Sequence, residues 1–281
     1  MVSGLLRRVA GERRRTMTRG SQARRDAIVE LATTSGLASV EELSATFGVT
    51  ASTIRRDLQA LESAGQLART FGGAMAMAAH PEASLRQRTG EEFEAKRAIA
   101  AWAAAQIGPG EAVLLDSGST TGALAHELRR ARDLTVATTG LTALQELANA
   151  ENVHVECLGG TLRHLSQGFV GPLAEAALTR MTFDRAFLGA DGVTAEDGIC
   201  EASLQQTRLK ELMAQRAKRV YVLVHAAKLG RRPFHAWAAL PDRCMLVTDA
   251  KAGEADIAPF RARGVEVVVV GADGVAEQRG A

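Results

Sequence analysis

Seven short apolar runs rich in β-branched residues recur from residue 112 onward, and helix-patterned segments lie between most of them. The runs are 112–116 (AVLLD), 134–138 (LTVAT), 153–158 (VHVECL), 185–190 (RAFLGA), 219–224 (RVYVLV), 244–249 (CMLVTD) and 265–270 (VEVVVV). Helical patterns cover 92–106, 120–130, 140–149, 172–180 and 202–217. A short, continuous apolar run is what a strand buried on both faces needs, and a strand followed by a helix returns parallel to its predecessor. The alternation therefore restricts residues 92–275 to an α/β domain of Rossmann-like type with a mostly parallel sheet.

The first 80 residues have a different texture. Residues 21–34 predict a helix with Ala27, Ile28, Leu31 and Ala32 on one stripe, stopped by Gly36. Residues 39–47 (SVEELSATF) predict a second, with Ser39 as N-cap and Glu42 completing a capping box. Gly48 imposes a tight turn, Thr50 opens a third helix running to Ser63, and Gly65 ends it. Residues 66–77 alternate around Gly72 and Gly73, as a small hairpin does. Three short helices and a hairpin outline a winged helix-turn-helix. The expected organisation is a disordered basic arm over 1–20, this head over 21–79, a polar linker over 80–91 around Pro81, and the α/β domain over 92–275.

On a wheel of about 100° per residue, Ile54, Leu58 and Leu61 share one stripe of the third helix, and Ser52, Arg55, Arg56 and Gln59 take the opposite face. Hydroxyl, guanidinium and amide groups on one helix face are those that read base edges and grip phosphates in a major groove. An isolated arginine pair is more often ordinary solvated surface. Here the preceding helix, the Gly48 turn, the Thr50 cap and the following hairpin all agree with a reading helix, and Arg69 in the hairpin adds a base for phosphate. Asp57 falls near the edge of the buried stripe, where pairing with a nearby arginine gives it a structural role. Charge distribution points the same way: residues 1–80 hold eleven arginines, no lysine and seven acids, whereas the rest of the chain is mildly acidic.

In the α/β domain, Ser117, Gly118, Ser119, Thr120 and Thr121 fall where a strand meets a helix N-terminus, which favours an anion. Thr138-Thr139-Gly140, the segment 189–192 with Asp191, and Lys228 also follow strands. In an open α/β sheet, ligands bind beyond the carboxyl ends of the strands. Hydroxyls, a carboxylate and an ammonium converging there suit a polyhydroxylated phosphate ester, with Lys228 meeting the phosphate as a point charge. Cys157, Cys200 and Cys244 are scattered, without CxxC or Cys/His spacing, so no disulfide frame, metal site or cofactor is expected. No stretch has the apolar length of a membrane span, and the N-terminus lacks a signal peptide's apolar core, which predicts a cytoplasmic protein.

Residues 21–74 resemble the DeoR-type winged helix-turn-helix of bacterial transcriptional regulators. The resemblance rests on EELSATFGVTASTIRRDLQALESAGQLART, on the T-I-R-R-D-L core at Thr53 to Leu58, and on the closing Gly72 to Ala74. It implies that Ser52, Thr53, Arg55, Arg56 and Gln59 lie in or near the major groove. Phe71 departs from the histidine common in that family, which puts one wing contact in question. Residues from about 90 to 250 resemble the DeoR-type sensor, itself similar to ribose-5-phosphate isomerase. The matching pieces are LLDSGSTT, LGGTLR (158–163), VGPLAE (170–175), DRAFLGADGV (184–193), Lys210 and KLGRRPF (228–234). The resemblance implies a regulator, most often a repressor, that binds double-stranded operator DNA as a homo-oligomer (dimer or tetramer) and answers to a phosphorylated sugar or sugar derivative.

Two departures remove negative charge from the expected pocket, Gln205 and Gln206 in place of acids and His225 in place of an aspartate, and a third, Thr138-Thr139-Gly140, lacks the family's asparagine. A more anionic effector, or a pocket that has drifted and responds weakly, would account for them. The rival reading is a sugar-phosphate isomerase with an accessory DNA-binding domain. Isomerisation needs a base at the substrate's α-carbon. Asp191 is the strong candidate and Glu201 is less well placed, so a regulator rather than an enzyme is expected. An architectural DNA-binding protein without a ligand is a third reading, against which the phosphate-friendly turn argues.

Overall fold

Ile54, Leu58 and Leu61 are buried at 0%, 1% and 3% exposure, and the first unit forms around them. The computed structural model describes residues 21–35, 38–63, 67–70, 73–76 and 82–277. It divides the chain into two units, Met1–Glu82 and Ala83–Ala281. The arm expected over 1–20, and Phe71 and Gly72, lie outside the described residues.

The first unit runs α1 (Ser21–Ser35), β1 (Ala38–Ser39), α2 (Val40–Phe47), α3 (Ala51–Ser63), β2 (Leu67–Thr70) and β3 (Gly73–Ala76). Ile28 of α1 and Val40 and Leu43 of α2 join the α3 stripe in one small core, so each helix buries one face against the other two. Gly48 makes the turn between α2 and α3 at φ +63°, a conformation that costs a residue with a Cβ about 1–2 kcal/mol. Thr50 then opens α3: its Oγ1 accepts from the Thr53 N–H at 3.3 Å. Strands β2 and β3 pair antiparallel with Arg69 opposite Ala74, and β1 adds to the other side of β3. This is a winged helix-turn-helix. Ser39, expected as the cap of α2, lies in β1, immediately before the helix.

The second unit runs α4 (Leu85–Gly90), α5 (Phe93–Ala105), β4 (Ala112–Leu115), α6 (Ser119–Glu127), β5 (Leu134–Thr138), α7 (Leu141–Leu147) and β6 (Val153–Cys157). It continues with β7 (Thr161–Arg163), β8 (Gly168–Val170), α8 (Pro172–Leu178), β9 (Phe183–Leu188), β10 (Gly192–Thr194), β11 (Gly198–Glu201) and α9 (Leu204–Gln215). It closes with β12 (Ala217–Leu223), β13 (Ala236–Ala238), β14 (Cys244–Asp249), α10 (Glu254–Ala262) and β15 (Glu266–Val270). The seven apolar runs become one seven-stranded sheet, order β15-β14-β12-β9-β4-β5-β6, with every pairing parallel.

Alternate side chains along each strand face opposite sides. Leu114, Leu188, Val222 and Leu246 pack with α8, α9 and α10 through Leu178, Met213 and Phe260. Val113, Leu115, Phe187, Tyr221 and Val247 pack with α5, α6 and α7 through Ile99, Leu124 and Leu147. Both faces are covered, as a parallel sheet requires. From β4 the chain winds outward through β5 and β6; from β9 it winds the other way through β12, β14 and β15. The loops after β4 and β9 therefore part, leaving a crevice at the carboxyl ends of two adjacent strands.

The linker expected over 80–91 is corrected in part. Its second half is α4, which belongs to the second unit. The run looks polar because only Leu85 is apolar and buried, but Ser84 and Gln87 cap the helix reciprocally: Ser84 N–H donates to Gln87 Oε1 at 2.9 Å, and Gln87 N–H to Ser84 Oγ at 3.4 Å. The small sheets β7-β8 and β10-β11-β13 lie outside the alternation read from the sequence. Among the described residues, no helix is long and apolar enough to cross a membrane.

Candidate functional site

On α3, Ser52, Arg55, Arg56 and Gln59 are exposed and Thr53 is half-buried, as the wheel predicts. The hydroxyls cluster at the helix start, with Thr50 Oγ1 2.9 Å from Ser52 Oγ and 3.0 Å from Thr53 Oγ1. Asp57 turns inward at 2% exposure and accepts from Arg24 Nε at 2.6 Å and Arg25 Nε at 3.0 Å. The consecutive Arg55-Arg56-Asp57 thus divides its work: two cations outward, one carboxylate pinning α1 beneath them. Arg69 lies in β2 of the wing. This convex face of hydroxyl, guanidinium and amide groups is suited to a major groove.

The second cluster fills the crevice of the sheet. Asp116, directly after β4, accepts from the Ser117 N–H at 2.7 Å and the Gly189 N–H at 3.1 Å, and pairs with Lys210 of α9. Lys210 also meets Glu201 Oε1 at 3.0 Å and donates to the Gly189 carbonyl at 2.9 Å. One buried ammonium therefore clasps the ends of β4, β9 and β11. The two carboxylates hold Lys210 above the ordinary lysine value despite its burial. Burial, opposed by Lys210, pushes Glu201 up to about 8.

The hydroxyl-rich turn sits against this clasp. Gly118 gives α6 no side-chain cap, so first-turn N–H groups remain for an acceptor. Ser119 is half-buried; Thr120 is buried, and Thr121 Oγ1 donates back to the Gly118 carbonyl at 3.2 Å. Ser117 faces Gly168, where a Cβ would come within 2.4 Å of its Oγ. Thr138 Oγ1 donates to the Leu115 carbonyl and accepts from the Gly140 N–H, both at 2.9 Å. The Thr139 N–H donates to the Leu115 carbonyl at 3.4 Å and its carbonyl accepts from Phe169 at 2.7 Å. The Thr138 hydroxyl is thereby committed to pinning the loops, and the Thr139 backbone joins it.

Across the crevice, Asp191 Oδ1 accepts from Arg88 Nη1 of α4 at 2.8 Å, while Oδ2 is buried without a hydrogen-bond partner among the described residues. Lys228 bonds the Ala190 carbonyl, and Lys96 bonds the Arg88 carbonyl and, at 2.6 Å, the Glu91 carbonyl. Neither ammonium ion-pairs with a carboxylate among the described residues. Burial pulls Lys228 below the ordinary lysine value. Burial and the Lys228 charge bring Lys96 down to about 8. His225 is buried with neither ring nitrogen partnered among the described residues, and is pushed down to about 4 by burial, then by Lys228 and Lys96. Of the two glutamines, Gln205 is exposed, and Gln206 is buried one turn before Lys210 with its Oε1 unpartnered among the described residues.

Sequence reasoning named Ser117 to Thr121, Asp191 and Lys228 as candidates, and did not name Asp116, Arg88 or Lys96. Lys210, framed by Leu209, Leu212 and Met213, is a cation in an apolar stripe, a signal that a buried acid awaits it.

Residues 24–79 match the DeoR-like helix-turn-helix domain, and residues 91–250 match the DeoR C terminal sensor domain. The putative aga operon transcriptional repressor of Escherichia coli O157:H7 is 34% identical over 265 residues, covering 93% of this chain and 97% of that protein. The regulator GlpR of Haloferax volcanii is 36% identical over 257 residues, covering 90% and 98%. The lactose phosphotransferase system repressor of Streptococcus mutans is 30% identical over 234 residues, covering 82% and 92%. Ribose 5-phosphate isomerase A of Methanocaldococcus jannaschii aligns over 47% of this chain and 52% of that one, at 20% identity and a TM-score of 0.35. Both domains, in this order and over nearly the full length of two such relatives, place the chain in the DeoR family: it is a DNA-binding transcriptional regulator, not an enzyme.

Proposed function

We propose that the chain represses a carbohydrate-metabolism operon in the cytoplasm, and that a phosphorylated sugar or sugar acid at the crevice controls its hold on operator DNA. The observation that carries this reading is the pair of ammoniums of buried Lys96 and half-buried Lys228, bonded to backbone carbonyls and lacking an acid partner among the described residues. Cations removed from water call for an anion. Beside them, Asp191 Oδ2 suits a donating sugar hydroxyl, and the uncapped start of α6 suits phosphate oxygens. The relatives named for the aga operon and for the lactose phosphotransferase system favour a carbohydrate. The neutral Gln206 and His225 favour an effector with more negative charge than a simple sugar monophosphate. A homo-oligomer, dimer or tetramer, would set α3 of each copy on repeated half-sites. Isothermal titration of the full chain with sugar phosphates and phosphorylated sugar acids, beside a gel shift on its own upstream DNA, tests this. Binding that alters the shift supports it; no binding by any member refutes it.

A further inference from the structure

Arg88 falls between the two stretches that match the family, 24–79 and 91–250. The first unit ends at Glu82, and by Leu85 the chain is in α4. This short helix is tied to the crevice from several sides. The Leu85 N–H donates to the Leu165 carbonyl at 2.8 Å, between β7 and β8. Arg88 pairs with Asp191, with side chains only 13% and 7% exposed. Lys96 grips the carbonyls of Arg88 and Glu91 from α5. Lys251 holds Glu92 at 2.6 Å.

The charge around α4 is unbalanced. Lys96 holds the Arg88 carbonyl, Lys228 holds the Ala190 carbonyl beside Asp191, and Arg88 ion-pairs with Asp191, so three cations gather around this carboxylate. An anionic group entering beside Lys96 and Lys228 meets a guanidinium already paired through Nη1 with Asp191. A dianionic phosphate offers that guanidinium a fork-matched acceptor with more charge than one carboxylate oxygen. Asp191, once released, has both oxygens for sugar hydroxyls.

The geometry points to Arg88 as a ligand of the effector's anionic group, taken in exchange for Asp191, so that filling the crevice loosens α4, the first helix after the DNA-binding head. The inference rests on the effector reading above. It makes α4 the element whose two states an effector distinguishes, which any coupling between sites requires.

The test uses the full chain with inorganic phosphate and a sugar-phosphate panel, comparing wild type with Arg88→Gln and Asp191→Asn. Titration of Arg88→Gln should show affinity for the tightest panel member reduced roughly tenfold. Asp191→Asn removes the competing carboxylate and should bind inorganic phosphate more tightly than wild type. Hydrogen exchange of residues 85–90 should rise in wild type when phosphate or the panel ligand binds. In Asp191→Asn it should already be raised without ligand and change little on binding. Equal ligand affinity in wild type and Arg88→Gln, or exchange at 85–90 that ignores both ligand and Asp191→Asn, overturns the exchange. Failure of wild type to bind any phosphate compound overturns the effector reading itself, a distinct result. Should Arg88→Gln fail to fold, Arg88→Lys, which keeps the charge but not the fork, should still bind more weakly; undiminished affinity there also refutes the assignment.

Discussion

Asp57 and Arg24 meet at 2.6 Å across 33 positions of sequence, directly beneath the exposed Arg55 and Arg56. The carboxylate between two arginines of α1 fixes how α3 is presented. Asp57→Ala should lower the head's stability by about 1–3 kcal/mol. The loss stays below that of a fully buried pair because Arg25 is 31% exposed and keeps some water. Urea denaturation of the full chain should show a lower first midpoint; an unmoved midpoint would contradict the pinning role.

Arg55→Ala and Arg56→Ala should each weaken operator binding by about 1–3 kcal/mol with the fold intact, since both side chains are exposed. Gln59→Ala should act mainly on sequence preference. Gel shifts at several salt concentrations separate the roles, because a lost phosphate contact flattens the salt slope and a lost base contact does not. Full affinity in both arginine variants would move the reading face elsewhere.

Gly168→Ala should displace the hydroxyl-rich turn. The added methyl would sit 2.4 Å from Ser117 Oγ and 2.8 Å from Ser117 Cβ, and rotating the hydroxyl relieves only the first. Overpacking of this kind costs about 1–3 kcal/mol. Thermal unfolding should shift down and effector titration should weaken, with DNA binding by α3 retained. A variant that titrates like wild type would show that the turn has room to spare.

His225 makes the sensor sensitive to acid. Its folded value of about 4 lies below the ordinary histidine value of 6.5, so between those limits the unfolded chain binds more protons than the folded one. The stability it contributes is complete above about pH 6.5 and is lost as pH falls toward 4. His225→Gln should flatten the stability profile across that window. Phosphate at Lys96 and Lys228 should do the same by easing the cost of a charged imidazole. Identical profiles for wild type and His225→Gln between pH 4 and 6.5 would remove the residue from this role.

The sheet was legible because each strand announces itself within five or six residues, and α3 because its buried stripe and polar face need only a wheel. The clasp was not, since Asp116 and Lys210 lie 94 positions apart and meet only through the strand order. Helix α4 was hidden for another reason: it carries a single apolar anchor, and its caps look like linker polarity. Thr138 was legible as a strand-end hydroxyl, but local sequence gives no hint that the Leu115 carbonyl and the Gly140 N–H already engage it.

The seam between β4 and β9 governs what a shortened chain becomes. A product stopped after α8 keeps Asp116 and the hydroxyl-rich turn but loses Glu201, Lys210 and Lys228. Its central carboxylate has no counter-ion, and β4 is left as a bare apolar edge where β9 should pair. Such a fragment should aggregate through that edge rather than complete the sensor. The strand pairing that opens the crevice thus also decides whether the sensor can assemble at all.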